Sequence, residues 1–117
     1  MTLQECYAKL EGDFEGTLGR LCSEKLVEKF ALKFLADDSY SLLEESIAIG
    51  DYSEAFRASH TLKGVSLNLG FTKLFEVSDV LTEALRGGNE LENKELLEKV
   101  KEEYGRTIKL LQELQNS

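Results

Sequence analysis

At 117 residues, with 42% apolar and 31% charged side chains, the chain can bury a core of its own and reads as one globular domain rather than a disordered or membrane-embedded segment. Lys and Arg total 14 against 22 Asp and Glu, and the resulting formal charge of −8 opposes a nucleic-acid backbone or an anionic membrane as partner. No apolar run nears the ~20 residues of a membrane span, no leader-like start is present, and Cys6 and Cys22 lack the spacing and company of a zinc site, so a cytoplasmic protein with reduced thiols and no metal is expected.

Proline is absent, which favours long helices joined by glycine and Asx turns. Thr2 and Glu5 form a capping-box pattern that opens a first helix running to about Leu10, with Gly12 closing it. Asp13 to Leu21 reads as a short second helix weakened by Gly16 and Gly19. Ser23 caps a stronger segment, Glu24 to Ala36, carrying Leu26, Phe30 and Phe34 at helical spacing. Asp37-Asp38-Ser39 is either a break or an exposed turn of a continuing helix, and Leu42, Leu43, Ile47 and Ile49 carry the apolar face on to Gly50.

Asp51 and Glu54 make a second capping box, opening a helix from Tyr52 to about Leu69 that Gly70 terminates. Thr72 is expected to cap the next helix, which buries Leu74, Val77, Leu81 and Leu85 and stops at Gly87-Gly88. A polar stretch, Asn89 to Asn93, precedes a last helix to about Gln115 with Leu96, Leu97, Val100, Tyr104, Ile108, Leu111 and Leu114 as its apolar positions. The short links Gly50-Asp51 and Gly70-Phe71 make consecutive helices antiparallel neighbours. The expected fold is all-α: an antiparallel four-helix bundle with its core over about 24–115 and one or two short N-terminal helices, about 2–21, capping it.

The Tyr52–Leu69 helix carries the functional signal. On a helical wheel Ala55, Ala58, Leu62, Val65 and Leu69 share one face, with Ser59 and Ser66 beside them, and this small-residue face turns to the core. His60, the only histidine, falls on the other side, among Phe56, Lys63, Gly64 and Leu67. Phe56 and Leu67 put apolar surface beside a titratable ring where a monomer is normally polar. Gly64 sits in mid-helix at a cost of up to ~1 kcal/mol relative to Ala; a glycine one turn from the ring clears the approach to it. Lys63 places a cation alongside. The combination reads as an exposed imidazole nucleophile in an apolar docking patch. Plainer explanations exist for each part: an incidental surface histidine, Phe56 and Leu67 packed under the N-terminal helices, and Gly64 admitting a neighbouring helix.

The run His60-Thr61-Leu62-Lys63-Gly64, followed by Ser66, Asn68-Leu69-Gly70 and Leu74, resembles the histidine-containing phosphotransfer (HPt) domain, whose pattern is H-x-x-K-G with a second glycine six positions after the first. The likeness is close from Asp51 to Gly88 and looser over the rest. It implies a four-helix bundle and a phosphorelay intermediary, in which His60 takes a phosphoryl group from an aspartyl-phosphate of a receiver domain and passes it to another receiver. Lys63 would help neutralise the phosphoryl group, Gly64 would give access, Gly70 would end the helix, and Phe56 and Leu67 would dock the partner. Val65 and Leu67 stand where the family often has Ala or Ser, and Thr82 where Glu is common, departures that bear on partner choice.

The partners implied are response-regulator receiver domains and a hybrid histidine kinase, with Mg²⁺ held on the receiver and no cofactor on this chain; a monomer is expected, because a dimer burying the patch would block the histidine. The chain is too short for a kinase ATP-binding domain, so a phosphocarrier rather than a turnover enzyme is expected. Gly12, Gly16 and Gly19 follow no strand and precede no Gly-Lys-Ser/Thr, which excludes a phosphate loop. Arg57 stands three residues before His60, where a di-iron bundle needs Glu. Asp79 and Glu83 read as solvated charges, and the stripe Glu92, Glu95, Glu98, Glu102 as a solubilising face. The main alternative is a helical adaptor that binds receiver domains or another signalling partner without phosphotransfer.

Overall fold

The computed structural model describes all 117 residues. Its elements are α1 (Leu3–Leu10), α2 (Phe14–Leu21), α3 (Glu24–Lys33) continued by a 3-10 turn (Phe34–Ala36), α4 (Ser39–Ala48), α5 (Tyr52–Asn68), α6 (Thr72–Leu85) with a 3-10 turn (Arg86–Gly88), and α7 (Glu95–Gln115). There is no strand. No helix is long and apolar enough to cross a membrane.

Local chemistry explains most of the boundaries. Thr2 and Glu5 complete their reciprocal capping box, and Asp13 and Ser23 accept from Gly16 N–H and Leu26 N–H. The box at α5 is half built: Asp51 accepts from Glu54 N–H, but Glu54 turns its carboxylate to Arg57 and Asp51 N–H donates to Ser46 O. Phe71, not Thr72, holds the N-cap position of α6, with no side-chain cap. Glu11, rather than Gly12, takes the left-handed conformation that ends α1 (φ 55°).

Asp37 is extended and its Oδ1 accepts from Ser39 N–H at 2.9 Å, so the Asp-Asp-Ser segment is a true break. The break resets the helical phase. Tyr40, Leu43 and Ser46 become the buried side of α4, with Ile47 partly buried, while Leu42 and Ile49 are 47% and 78% exposed, against their expected place on the apolar face. Leu91, inside the stretch read as polar, is buried at 4% exposure and joins the core.

Helices α4 and α5, α5 and α6, and α6 and α7 pack as neighbours, around Leu43, Leu62, Leu74, Leu81, Leu85, Val100 and Leu111. Across α5 and α6, residues equidistant from the Gly70-Phe71 turn face each other: Lys63 pairs with Asp79, and Ser59 shares a 2.7 Å hydrogen bond with Thr82. Small side chains on both helices let the backbones approach, as the Ala/Ser face of α5 implies.

The N-terminal helices do more than cap the bundle. Leu3, Cys6, Tyr7 and Leu10 of α1 are buried in the same core. The Tyr7 hydroxyl donates to Leu69 O at 2.6 Å, Asp13 N–H donates to Gly70 O at 2.8 Å, and Arg20 donates to Leu67 O and Asn68 O. Gly12 is needed for space at this corner, because a Cβ there would sit 2.6 Å from Gly70 O. In return Arg106 of α7 donates to Lys9 O and Leu10 O, satisfying the last carbonyls of α1.

Burial pushes the Tyr7 phenol well above its ordinary value, and raises Tyr40, Tyr104 and the Cys6 thiol as well. Each therefore keeps its proton in the native state at a pH where the unfolded chain has lost it. The stability this represents is complete below the unfolded values, about 8.5 for Cys and about 10 for Tyr, and is lost as pH rises above them. Urea midpoints should be level through neutrality and fall above about pH 9. Tyr7→Phe should lower the neutral midpoint, by stranding Leu69 O, and make the decline above about pH 10 shallower. An unchanged alkaline slope in that variant would remove Tyr7 from the explanation.

Candidate functional site

Helix α5 presents His60 at mid-length, exposed to solvent, with its ring making no hydrogen bond to the rest of the chain. Phe56, one turn earlier, lies with its ring centroid 5.9 Å from that of His60. The Phe56 ring is only half exposed: it packs on the edge of the core, and the Arg86 guanidinium covers it at 5.2 Å. Phe56 is therefore a platform under the histidine's surroundings more than the free apolar surface expected. Leu67, two turns beyond His60, is 53% exposed and does offer such surface. Phe56, Arg57, His60, Thr61 and Arg86 enclose a shallow depression of about 480 Å³.

Lys63 is half-buried against α6 and its Nζ stands 2.8 Å from Asp79 Oδ1. Asp79 is thus an ion-pair partner, where a purely solvated charge was expected. Glu83 is also engaged, receiving two bonds from Arg86, at 3.0 Å from Nε and 2.7 Å from Nη2. Those bonds hold the Glu83 carboxyl below its usual range, with the Lys63 and His60 charges acting in the same direction. Arg57 pairs with Glu54. Arg57 and Arg86 line the depression with His60 and Lys63 lies one turn further on, each matched by a carboxylate: Glu54, Glu83 and Asp79.

Gly64 is the decisive position. A Cβ built there meets no atom within 4 Å. Nothing inside the molecule needs the missing side chain, which removes close helix packing as its explanation. Gly70 is the opposite case: its φ is +73° and a Cβ would come within 2.6 Å of Asp13 O, so it ends α5 on both conformational and steric grounds.

The structure thus gathers His60, Lys63, Gly64 and Phe56 around one ring, with Leu67 further along the same face and Gly70 at the helix end. Arg86 was not among the residues picked out from sequence. The signal for it was the turn at Gly70-Phe71, since pairing helices about that turn brings the end of α6 beside the first turns of α5. No three His, Cys, Asp or Glu side chains converge in a way that could hold a metal ion. Chemically, the arrangement offers an accessible nitrogen nucleophile, cations able to reorient toward an anion formed on it, and an unobstructed approach over Gly64.

A family model described as Hpt domain matches residues 32–117, from the last turn of α3 to the C-terminus. Comparison with curated proteins and with solved structures returned no match.

Proposed function

Because the chain belongs to the Hpt domain family, whose members are phosphocarrier modules of phosphorelays rather than kinases, we propose that His60 is the residue that carries the phosphoryl group. A neutral ring nitrogen attacks the phosphorus of a receiver's aspartyl-phosphate in line. The acyl-phosphate P–O bond breaks, its electron pair leaves with the receiver carboxylate, and a second receiver reverses the exchange. The chain needs little beyond a positioned nucleophile and electrostatic support for such a transfer.

Gly64 is the observation that carries this reading: a mid-helix glycine, costly to α5 and unused by internal packing, one turn from an exposed imidazole. In the proposed reaction Lys63 turns from Asp79 toward the phosphoryl oxygens, and Phe56 and Leu67 contribute apolar contact to the receiver. The same reading takes residues 1–117 as one cytoplasmic, monomeric domain whose core, about 24–115, is an antiparallel four-helix bundle, supported by the short turns at Gly50-Asp51 and Gly70-Phe71.

The test is transfer from a panel of phosphorylated receiver domains. An acid-labile, base-stable label on this chain is the expected result. Receivers that bind tightly but never transfer would favour the adaptor reading instead. Gly64→Gln separates access from folding. It should raise stability by roughly 0.5 kcal/mol, from helix propensity alone, while slowing transfer. A variant that transfers at the wild-type rate would remove the access role.

A further inference from the structure

A second cavity lies on another side of α5, between α2, α3 with its 3-10 turn, and the helix's C-terminal end. It shares no lining residue with the depression at His60. Its volume is about 380 Å³, within the range of small-molecule pockets. Leu21, Phe30, Phe34, Val65 and Leu69 form an apolar floor, while Arg20, Lys33, Asp37 and Asn68 supply the polar part.

We propose that this cavity binds a small amphipathic carboxylate with an aryl body, such as an arylalkanoic acid. The charge balance points there. Arg20 and Lys33, like most of the fourteen Lys and Arg, form no salt bridge; what sets them apart is that both line this apolar cavity. The lining sets two cations against a single carboxylate over an apolar floor, a local positive balance in a chain of net charge −8. The one carboxylate present, Asp37, already accepts from Ser39 N–H.

Arg20 is also pre-positioned. All three of its bonds, to Thr17 Oγ1, Leu67 O and Asn68 O, use Nη2, leaving Nε and Nη1 without a partner in the chain. Lys33 is steered toward the cavity's aromatic wall, its Nζ lying 5.5 Å from the Phe30 ring centroid. Arg20, Leu21 and Phe30 precede the family-matched span, which starts at residue 32. The pocket is therefore a product of the N-terminal helices docking on the bundle.

The experiment is a titration of the full chain with hydrocinnamate, followed by nitrogen–proton amide correlation spectra. Hydrocinnamamide, propionate and inorganic phosphate serve as comparison arms. Hydrocinnamate should give saturable shifts clustered at Leu21, Phe30, Phe34, Val65 and Leu69. The neutral amide should bind at least about tenfold more weakly, and Lys33→Gln, a change at an exposed residue, should weaken hydrocinnamate about threefold. Propionate and phosphate, lacking the aryl body, should bind more weakly still. The proposal fails if shifts are absent or scattered up to about 10 mM, if the amide or phosphate binds as well as the acid, or if Lys33→Gln changes nothing.

Discussion

Glutamine in place of His60 is expected to give a fully folded protein that accepts no phosphoryl group from any receiver. The ring is exposed, makes no hydrogen bond to the chain, and meets only the Phe56 ring among the aromatics. Gln has at least the helix propensity of His, so the urea midpoint should hold to within about 0.5 kcal/mol. Transfer should fall to background, because no other imidazole exists in the chain. Lys63 and Arg86 remain in place in the variant, so the loss would isolate the nucleophile from its electrostatic surroundings. Labelling that survives the substitution would place the phosphate elsewhere and end the proposal.

Gly70→Ala should be the most damaging single methyl group added to this chain. The residue sits at φ +73°, where an L side chain costs roughly 1–2 kcal/mol. Its Cβ would also collide with the Thr17 hydroxyl and come within 2.6 Å of Asp13 O. Thr17 is fully buried and Asp13 is tied by its N–H to Gly70 O, so neither yields easily. Overpacking adds roughly 1–3 kcal/mol, for a total near 3 kcal/mol and a drop of roughly 10 °C or more in Tm. Gly50 provides the control, with φ +78° and open space around its absent side chain. Gly50→Ala should cost only the conformational part. Equal losses in thermal melts of the two variants would show that the corner between α2 and the α5–α6 turn is not tight.

Helix positions, the inward face of α5 and the outward placing of His60 could all be read from residue order, because caps and apolar spacing are local properties. The failures share a cause: they depend on which surface another element covers. Apolar spacing puts Leu42 and Ile49 on a face that the break at Asp37 rotates out of register. Leu91 is buried because the segment before α7 folds back over the core, which polar neighbours conceal. Phe71 takes the N-cap position of α6 with its ring buried in the core, and the Thr72 hydroxyl donates to Gly70 O instead of capping the helix. At the site, Lys63 could be seen, but its partner Asp79 and the Arg86 cover on Phe56 become visible only when α5 and α6 are paired about their turn. Phe56 is partly buried against the core, with its ring 5.9 Å from that of His60.

The N-terminal helices are held by contacts between residues far apart in the chain. Tyr7 and Leu69 are 62 residues apart and Cys6 and Leu110 are 104 apart, whereas α4 through α7 pair with their immediate successors. Closing the longer loops costs entropy that is recovered only once their targets exist. The order of assembly expected from this has α5 and α6 forming the nucleus and the first two helices docking onto the finished corner after the rate-limiting barrier. Stopped-flow chevrons should show Tyr7→Phe accelerating unfolding with the refolding limb almost unmoved. On that result the N-terminal arm acts, in kinetic terms, as a lock on the exit from the native state, with no part in the way in.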